Sequence, residues 1–344
     1  MLTFLRPSKQ SSPASELSPA KLLVIAKDKQ KADWAGLLSG IRLQNGQAIE
    51  VVQTGWDDIL VSSEPKSSYA RCCIHCRGQN KSLLDPDLVL VRNEVTTPQA
   101  SAINQLYGLM MGGVQGINSL SSIVSFTEKV LVQAELHRLN RELGDDVFPV
   151  IEQCYFSDYR DMMYSQSFPA VVKIGSAHAG MGKMIIRDHH EFEDFRTVLA
   201  MTDGKYCTAE PFLEGEYDLR IQKIGPHYRA FKRRSVSGAW KTNTGTAMLE
   251  AIEVNVVYRR WADEASVLFG GLDILTVDAI HDTATGKEFI LEVNGTSSGF
   301  APDFDAEDNL HVRELVLERL NSKIMTRFPP PGSDETAEAA AQEG

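Results

Sequence analysis

Apolar residues come along this chain in short bursts, and the rhythm of the bursts changes near residue 150. Residues 1–19 are polar and rich in Ser and Pro, too poor in apolar surface to repay ordering, and predict a disordered leader. KLLVIA at 21–26, AIEVVQT at 48–54 and DLVLVRN at 87–93 are compact apolar runs of the kind buried strands need. Between them lie helix-like segments. One carries Trp34, Leu37 and Leu38, and another, PQASAINQLYGLMMGG, ends on a glycine pair that acts as a stop signal. Strands alternating with helices predict a mostly parallel α/β layer over 20–118.

Over 118–144 the period is helical. Val130, Leu131, Ala134, Leu136 and Leu139 recur at near-helical spacing and Gly144 supplies the stop, which predicts one long helix starting near Ser125 or Thr127. Lys129 then falls in the first turn, where the helix dipole opposes a cation. That placement fits a lysine aimed at an anion, and it equally fits an ordinary exposed lysine. After 150 the bursts become AVVKIG, KMIIRD, YCTAEPFL, YDLRIQKIG, HYRAFKRRSV, ILTVDAI and EFILEVN, separated by turn signals. They predict an antiparallel sheet with helices packed on it, an α+β domain. Residues 306–325 predict a final amphipathic helix, and 330–344 an acidic, disordered tail.

Composition narrows the function. With 344 residues, 43% of them hydrophobic, the chain can build one large or two medium cores. A net charge of −11 argues against a nucleic-acid partner, and KRR at 232–234 reads as a solvated strand edge. No apolar run approaches the ~18 residues of a membrane span. The N-terminus lacks a signal-peptide core, so a cytoplasmic protein with at most peripheral membrane contact is expected. Among five cysteines, Cys72, Cys73 and Cys76 crowd around His75 in RCCIHCR. Adjacent ligands close a zinc tetrahedron poorly and no second CxxC pair follows, so the segment reads as a strand with free thiols.

Four segments have the residue types for chemistry. GSAHAGMGK at 175–183 holds Gly175, His178, Gly180, Met181, Gly182 and Lys183, and Lys173 precedes it on an apolar run. Glycines let a backbone approach a phosphate closely, although this is neither a Walker loop nor GxGxxG, and a plain hairpin turn fits as well. TVDAI at 276–280 and EFILEVNG at 288–295 read as paired strands. Glu292 and Asn294, two apart, face one side, and pairing brings Asp278 alongside them, giving three oxygen donors suited to Mg²⁺ or Ca²⁺. In AEPFLEGEYDLR at 209–220, Glu210 and Pro211 set an extended connection, after which the backbone of Phe212 and Leu213 can pair with an adenine edge. In the fourth segment, SVSGAWKTNTGTAM, Lys241 and Asn243 share a side, with Arg234 just before them.

Taken in order, a strand lysine, a Gly-rich flap, an EPFL hinge and Asp…Glu-x-Asn resemble the ATP-grasp arrangement, in which ATP lies between two α+β lobes. Within it the chain is similar to the synapsins, vesicle-associated phosphoproteins of nerve terminals, in a short form without their long Pro-rich C-terminal regions. The segments NSL…KVLVQAELHRLNRELG, FPAVVKIGSAHAGMGK, TAEPFLEGEYDLRIQKIG, SVSGAWKTNTGTAMLE and FGGLDILTVDAI…ILEVNG carry the similarity over roughly 21–328. The resemblance implies a small parallel-sheet pre-ATP-grasp domain at 20–118 and a two-lobed ATP-grasp domain at 119–329.

It also implies ATP with Mg²⁺ or Ca²⁺. Lys129 and Lys173 would contact the phosphates, and Gly175 to Lys183 would close over them as a flap that is mobile without nucleotide. Glu210 and the backbone to Leu213 would hold adenine, and Arg234, Lys241 and Asn243 would lie near the γ-phosphate. Glu292 would bind the metal with Asp278. Asn294 departs from the synapsin pattern and fits the wider ATP-grasp one. The leader FLRPSKQSS lacks the Arg-rich phosphorylation motif of vertebrate synapsins, since Ser8 and Ser11 match it poorly. The resemblance further implies peripheral attachment to the synaptic vesicle surface, regulation of vesicle clustering and transmitter release, contact with the actin cytoskeleton, and a homodimer or higher homo-oligomer. The fold's alternative is an ATP-dependent carboxylate–amine ligase, with Arg220 and His178 as candidates to line its acceptor pocket.

Overall fold

The computed structural model describes residues 17–28, 32–65, 70–77, 81–97, 99–162, 167–175, 182–202, 206–235 and 247–327. The N-terminal layer is built on the predicted apolar runs. β1 (Ala20–Ile25) is central, flanked by β2 (Ile49–Thr54) after the short α1 (Trp34–Leu37). β3 (Ile59–Pro65), β4 (Ala70–Cys76) and β5 (Lys81–Leu84) form a separate antiparallel sheet inserted before β6 (Leu88–Val91). α2 (Ile103–Met111) leads to β7 (Gln115–Ile117), completing the parallel order β2-β1-β6-β7. Of these strands β3, β5 and β7 lie outside the apolar runs that mark β1, β2 and β6.

A parallel sheet must be covered on both faces, and β1 shows how the sequence meets that demand. Leu23 and Ile25 pack with the β3–β5 sheet, α2 and α3 (Leu120–Ser125). Leu22 and Val24 point the other way, onto Val312, Leu315, Val316 and Leu320 of α7 (Asp305–Arg327). Each fully buried Leu or Val is worth roughly 1.5–3 kcal/mol of transfer free energy. The last helix of the chain is thus fastened to its first strand.

The long helix predicted from Ser125 or Thr127 to Gly144 forms as one helix that starts two to four residues later, at Lys129, and a short helix precedes it. α3, capped by Ser119 accepting from the Ser122 N–H, ends at Ser125, and α4 (Lys129–Leu143) starts anew. The antiparallel part then forms two sheets. One has the order β10-β9-β11-β8, from β8 (Cys154–Phe156), β9 (Ala170–Ile174), β10 (Lys183–Ile186) and β11 (Cys207–Pro211), with α5 (His189–Ala200) on it. The other has the order β14-β13-β12-β15-β16. Its strands are β12 (Gly215–Ile224), β13 (His227–Ser235), β14 (Ala247–Ile252), β15 (Ile274–Asp282) and β16 (Glu288–Asn294). α4 and α6 (Val256–Ser266) cover this larger sheet through Leu136, Leu139, Trp261 and Ala265. Asn118, fully buried at the junction, donates to the Ile274 carbonyl (2.8 Å) and accepts from the Ile274 N–H (2.7 Å), which fixes the first layer to β15.

Candidate functional site

The two antiparallel sheets meet at a cleft of about 470 Å³, part of it open to solvent, lined by Lys129, Gln153, Lys173, Lys183, Thr208 and Glu292 among others. β9 and β10 form the hairpin that brackets the glycine loop, and their register sets Lys173 directly opposite Lys183. Opposed side chains of a strand pair share a face, so two cations stand side by side at the cleft wall. Gly175 (φ +54°) and Gly182 (φ +71°) lie at the two ends of the loop in the left-handed region, which explains glycine at those two positions. His178, Gly180 and Met181, together with Lys241 and Asn243, lie outside the described residues.

Like charges on one hairpin need counter-charge, and the structure supplies it from two directions. Lys173 Nζ lies 2.6 Å from Glu210 Oε2, which also accepts from Gln153 Nε2 at 2.9 Å. Both members of the Lys173–Glu210 pair are mostly buried, at 15% and 7% exposed. Lys183 looks across the cleft to Glu292, 3.9 Å away. Lys129, the first residue of α4, lies 3.8 Å from the same carboxylate and donates to Asn294 Oδ1 at 2.8 Å. An unfavourable cation at a helix N-terminus is here balanced by acidic and amide oxygens on β16. Burial acts to raise the Glu292 pKa, but Lys129, Lys183 and Lys173, with a bond from Asn294, outweigh it and hold the carboxyl well below the usual range.

The oxygen donors read from sequence do converge. Asp278 pairs in register with Glu292, and Thr276 with Asn294. Asn294 Nδ2 donates to Asp278 Oδ2 at 2.8 Å. Arg220, the Asp278 partner on β12, reaches both Asp278 oxygens at 3.2 and 3.4 Å and donates to Ser298 Oγ (2.6 Å) and the Gly299 carbonyl (3.0 Å). Strict alternation along β16 would put Ile290 on the same face as Glu292, yet Ile290 is wholly buried in the core with Val293. A register shift after Asp278 skips Leu291 and resolves the conflict, turning Glu292 and Asn294 to the cleft. Two carboxylates and an amide oxygen suit a hard divalent cation, provided Asn294 Oδ1 releases Lys129.

Other sequence readings fare unevenly. β11 ends at Pro211 as an extended connection, but the Phe212 N–H is engaged by the Pro169 carbonyl at 3.0 Å. Glu210, read as an adenine holder, bonds Lys173 and Gln153 in this structure. Arg234 bonds Glu216 (2.9 Å) and stands over Tyr217, neither of which lines the cleft. Its neighbours Lys232, over Tyr217, and Arg233, 3.4 Å from Asp218, are likewise matched, so KRR presents no free basic patch. RCCIHCR is strand β4: Cys72, Ile74 and Cys76 point into the core, and burial pushes the Cys72 thiol up to about 11. Gln153 and Thr208 carry no sequence signal, since each is a lone polar residue whose role depends on the strand beside it.

The class of protein follows from this geometry and from structural likeness. An ATP-grasp ligase, PsnB, complexed with a minimal precursor is 16% identical and superimposes with a TM-score of 0.59, covering 89% of this chain and 100% of that one. D-alanine–D-alanine ligase from Bacillus anthracis, complexed with ATP, gives 15%, 0.52, 90% and 98%. D-alanyl-alanine synthetase A from Vibrio cholerae gives 10%, 0.60, 90% and 99%. At such identities the likeness establishes the fold, which is ATP-grasp. The family follows from sequence: residues 17–116 match the model described as "Synapsin pre-ATP-grasp domain" and 118–322 that described as "Synapsin, ATP binding domain". Synapsin of Drosophila melanogaster is 34% identical over 306 residues, which cover 88% of this chain and 30% of that protein. The chain belongs to the synapsin family, and it spans about a third of the length of that curated relative. No helix among the described residues is long and apolar enough to cross a membrane.

Proposed function

We propose that this protein is a nucleotide-responsive regulatory protein of the vesicle surface, in which ATP and a divalent cation close the small sheet onto the large one. The observation that carries this reading is the convergence of Lys129, Lys173 and Lys183 on one cleft whose far wall holds Glu292, with Asn294 behind it accepting from Lys129. A triphosphate entering there would take over the lysines, which releases Glu292 and Asn294 to hold the cation with Asp278. The cation would neutralise phosphate charge. The closed form would then set self-association and peripheral attachment to vesicles and to the actin cytoskeleton at nerve terminals.

The alternative, carboxylate–amine ligation, needs a cation free to hold an acceptor carboxylate. Arg220, the described candidate, is engaged by Asp278, Ser298 and Gly299, which favours binding over ligation. The test is calorimetric titration of ATP with Mg²⁺, with Ca²⁺ and with chelator. Cation-dependent binding that Lys173→Ala abolishes supports the reading, and no binding under any condition sinks it. ADP production with added carboxylates and amines would favour ligation instead.

A further inference from the structure

A second cleft, of about 670 Å³, lies where the turn between β12 and β13 meets the first turns of α7. Its wall holds His227, the first residue of β13, and His311; Glu314 stands one turn beyond His311 on α7. Residues three apart on a helix share a face. The two imidazoles are stacked, with centroids 3.6 Å apart and planes at 17°. Glu314 Oε2 lies 3.3 Å from His227 Nε2 and 3.7 Å from His311 Nδ1. One ligand atom from each of the three falls within 4.8 Å of the others, a grouping found once among the described residues. Zinc holds nitrogen and oxygen donors at about 2.0–2.2 Å, which places tetrahedral donors roughly 3.4 Å apart, close to the spacing seen here.

The surroundings leave one ring nitrogen of His311 without a hydrogen-bond partner. His311 Nε2 faces Glu307 Oε1 at 3.7 Å, while its Nδ1 is buried with no hydrogen-bond partner. A carboxylate behind one ring nitrogen, with the other nitrogen turned to the ion, is the arrangement common at metal-bound histidines. Glu307 is itself held by Arg229 at 2.6 Å, and Arg229 also donates to the buried Asp308 at 2.9 Å. The charge lining the cleft is therefore Glu307 and Asp308, with Glu314 beside the two rings, against Arg229 and Arg259, the latter lying over the Tyr228 ring. Stacked rings direct their lone pairs side by side, so one ring must swing for both to reach an ion. His227, 40% exposed, has the room.

We propose that His227, His311 and Glu314 form a site for a divalent transition metal of the zinc class, pinning α7 to the β12–β13 turn. Two imidazoles and one carboxylate select Zn²⁺ or Co²⁺ over Mg²⁺ and Ca²⁺, which prefer oxygen throughout. The site thereby differs in chemistry from the oxygen cluster on β15 and β16.

The experiment uses the full chain and Co²⁺, whose visible absorption reports four-coordinate nitrogen and oxygen ligation. One equivalent is expected to bind, to be displaced by stoichiometric Zn²⁺ and to resist millimolar Mg²⁺. Because second-layer partners alone change metal affinity about 10–100-fold, His311→Ala should weaken binding by at least about 100-fold and Glu307→Gln by about 10-fold. ATP binding and melting without metal serve as folding controls. Should a histidine variant unfold, Glu314→Gln, on an exposed helix position, gives the same reading with less risk. Unchanged Co²⁺ spectra and affinity in His227→Ala/His311→Ala would overturn the proposal, because the ion would then reside at the cysteines or the nucleotide cleft. Failure of the wild-type chain to bind Co²⁺, or its displacement by Mg²⁺, would overturn it as well.

Discussion

The two sheets that face each other across the cleft hold their charges in opposite ways. In the five-stranded sheet Asp278 is satisfied from within, by Arg220 on β12 and Asn294 on β16. Beneath it lies a core of nineteen buried residues among those described, including Phe148 and Trp261. In the four-stranded sheet Lys173 has Glu210 on the neighbouring strand, but Lys183 must look across to Glu292. Among the described residues its core has seven buried side chains, so less apolar burial holds it in place there. One wall of the cleft is therefore preformed, and the other is cation-rich and thinly supported. A fold that closes on an anion needs that asymmetry: a rigid wall gives the ligand geometry, and a weakly held one supplies charge and movement.

The strongest way to break the comparison is Lys173→Ala. It leaves Glu210 buried without its cation, and breaking a mostly buried pair costs about 3–5 kcal/mol. Denaturant unfolding of the variant should show early loss of the small sheet while the large sheet persists. A single unshifted transition would mean that the sheets are not unequal. Asn294→Asp tests the preformed wall. It replaces the donor to Asp278 with a like charge, so the cation-free protein should lose about 1–3 kcal/mol. Saturating Mg²⁺ should restore most of the loss, and a melting series with and without Mg²⁺ checks both halves. Gly182→Ala places a side chain at φ +71° and should cost about 1–2 kcal/mol, confined to the β9–β10 hairpin as read by amide exchange. Glu292→Gln gives the smallest change and sharpens the electrostatic link between the walls. Because the folded-state pKa of Glu292 is depressed, its stabilisation is present above the ordinary value of about 4.3 and is lost as pH falls below it. Acid titration should therefore be less steep for the variant below about pH 4.3 than for the wild type. Parallel curves would remove Glu292 as the bridge between the sheets.

Legibility varied with how local the cause was. β1, β2 and β6 are apolar runs bounded by turn signals, and each lies within a residue or so of its expected place. The antiparallel insert was half visible. β4 stood out through its cysteines, whereas β3 (ILVSSEP) and β5 (KSLL) are too polar for their period to show. The expected long helix starts two to four residues late, after a break at Phe126 to Glu128 where the chain turns to bring Lys129 to Asn294 on β16. No propensity in those residues announces such a break.

The sequence by itself determined the kinds of groups at the site and their order: a lysine pair around glycines, an extended Glu-Pro connection, and Asp, Glu and Asn on adjoining strands. Local rules suffice for that, because strand parity and glycine's freedom act over a few residues. Only the tertiary structure decided where those groups point. The register shift beside Asp278 turns Glu292 and Asn294 away from the buried face of Ile290, and β11 supplies Glu210 as the partner of Lys173. Likewise the stacking of His227 on His311 joins a hairpin turn to a helix eighty-four positions away. Such pairings depend on how sheets and helices pack at long range, where burial of whole faces outweighs any preference written into neighbouring residues.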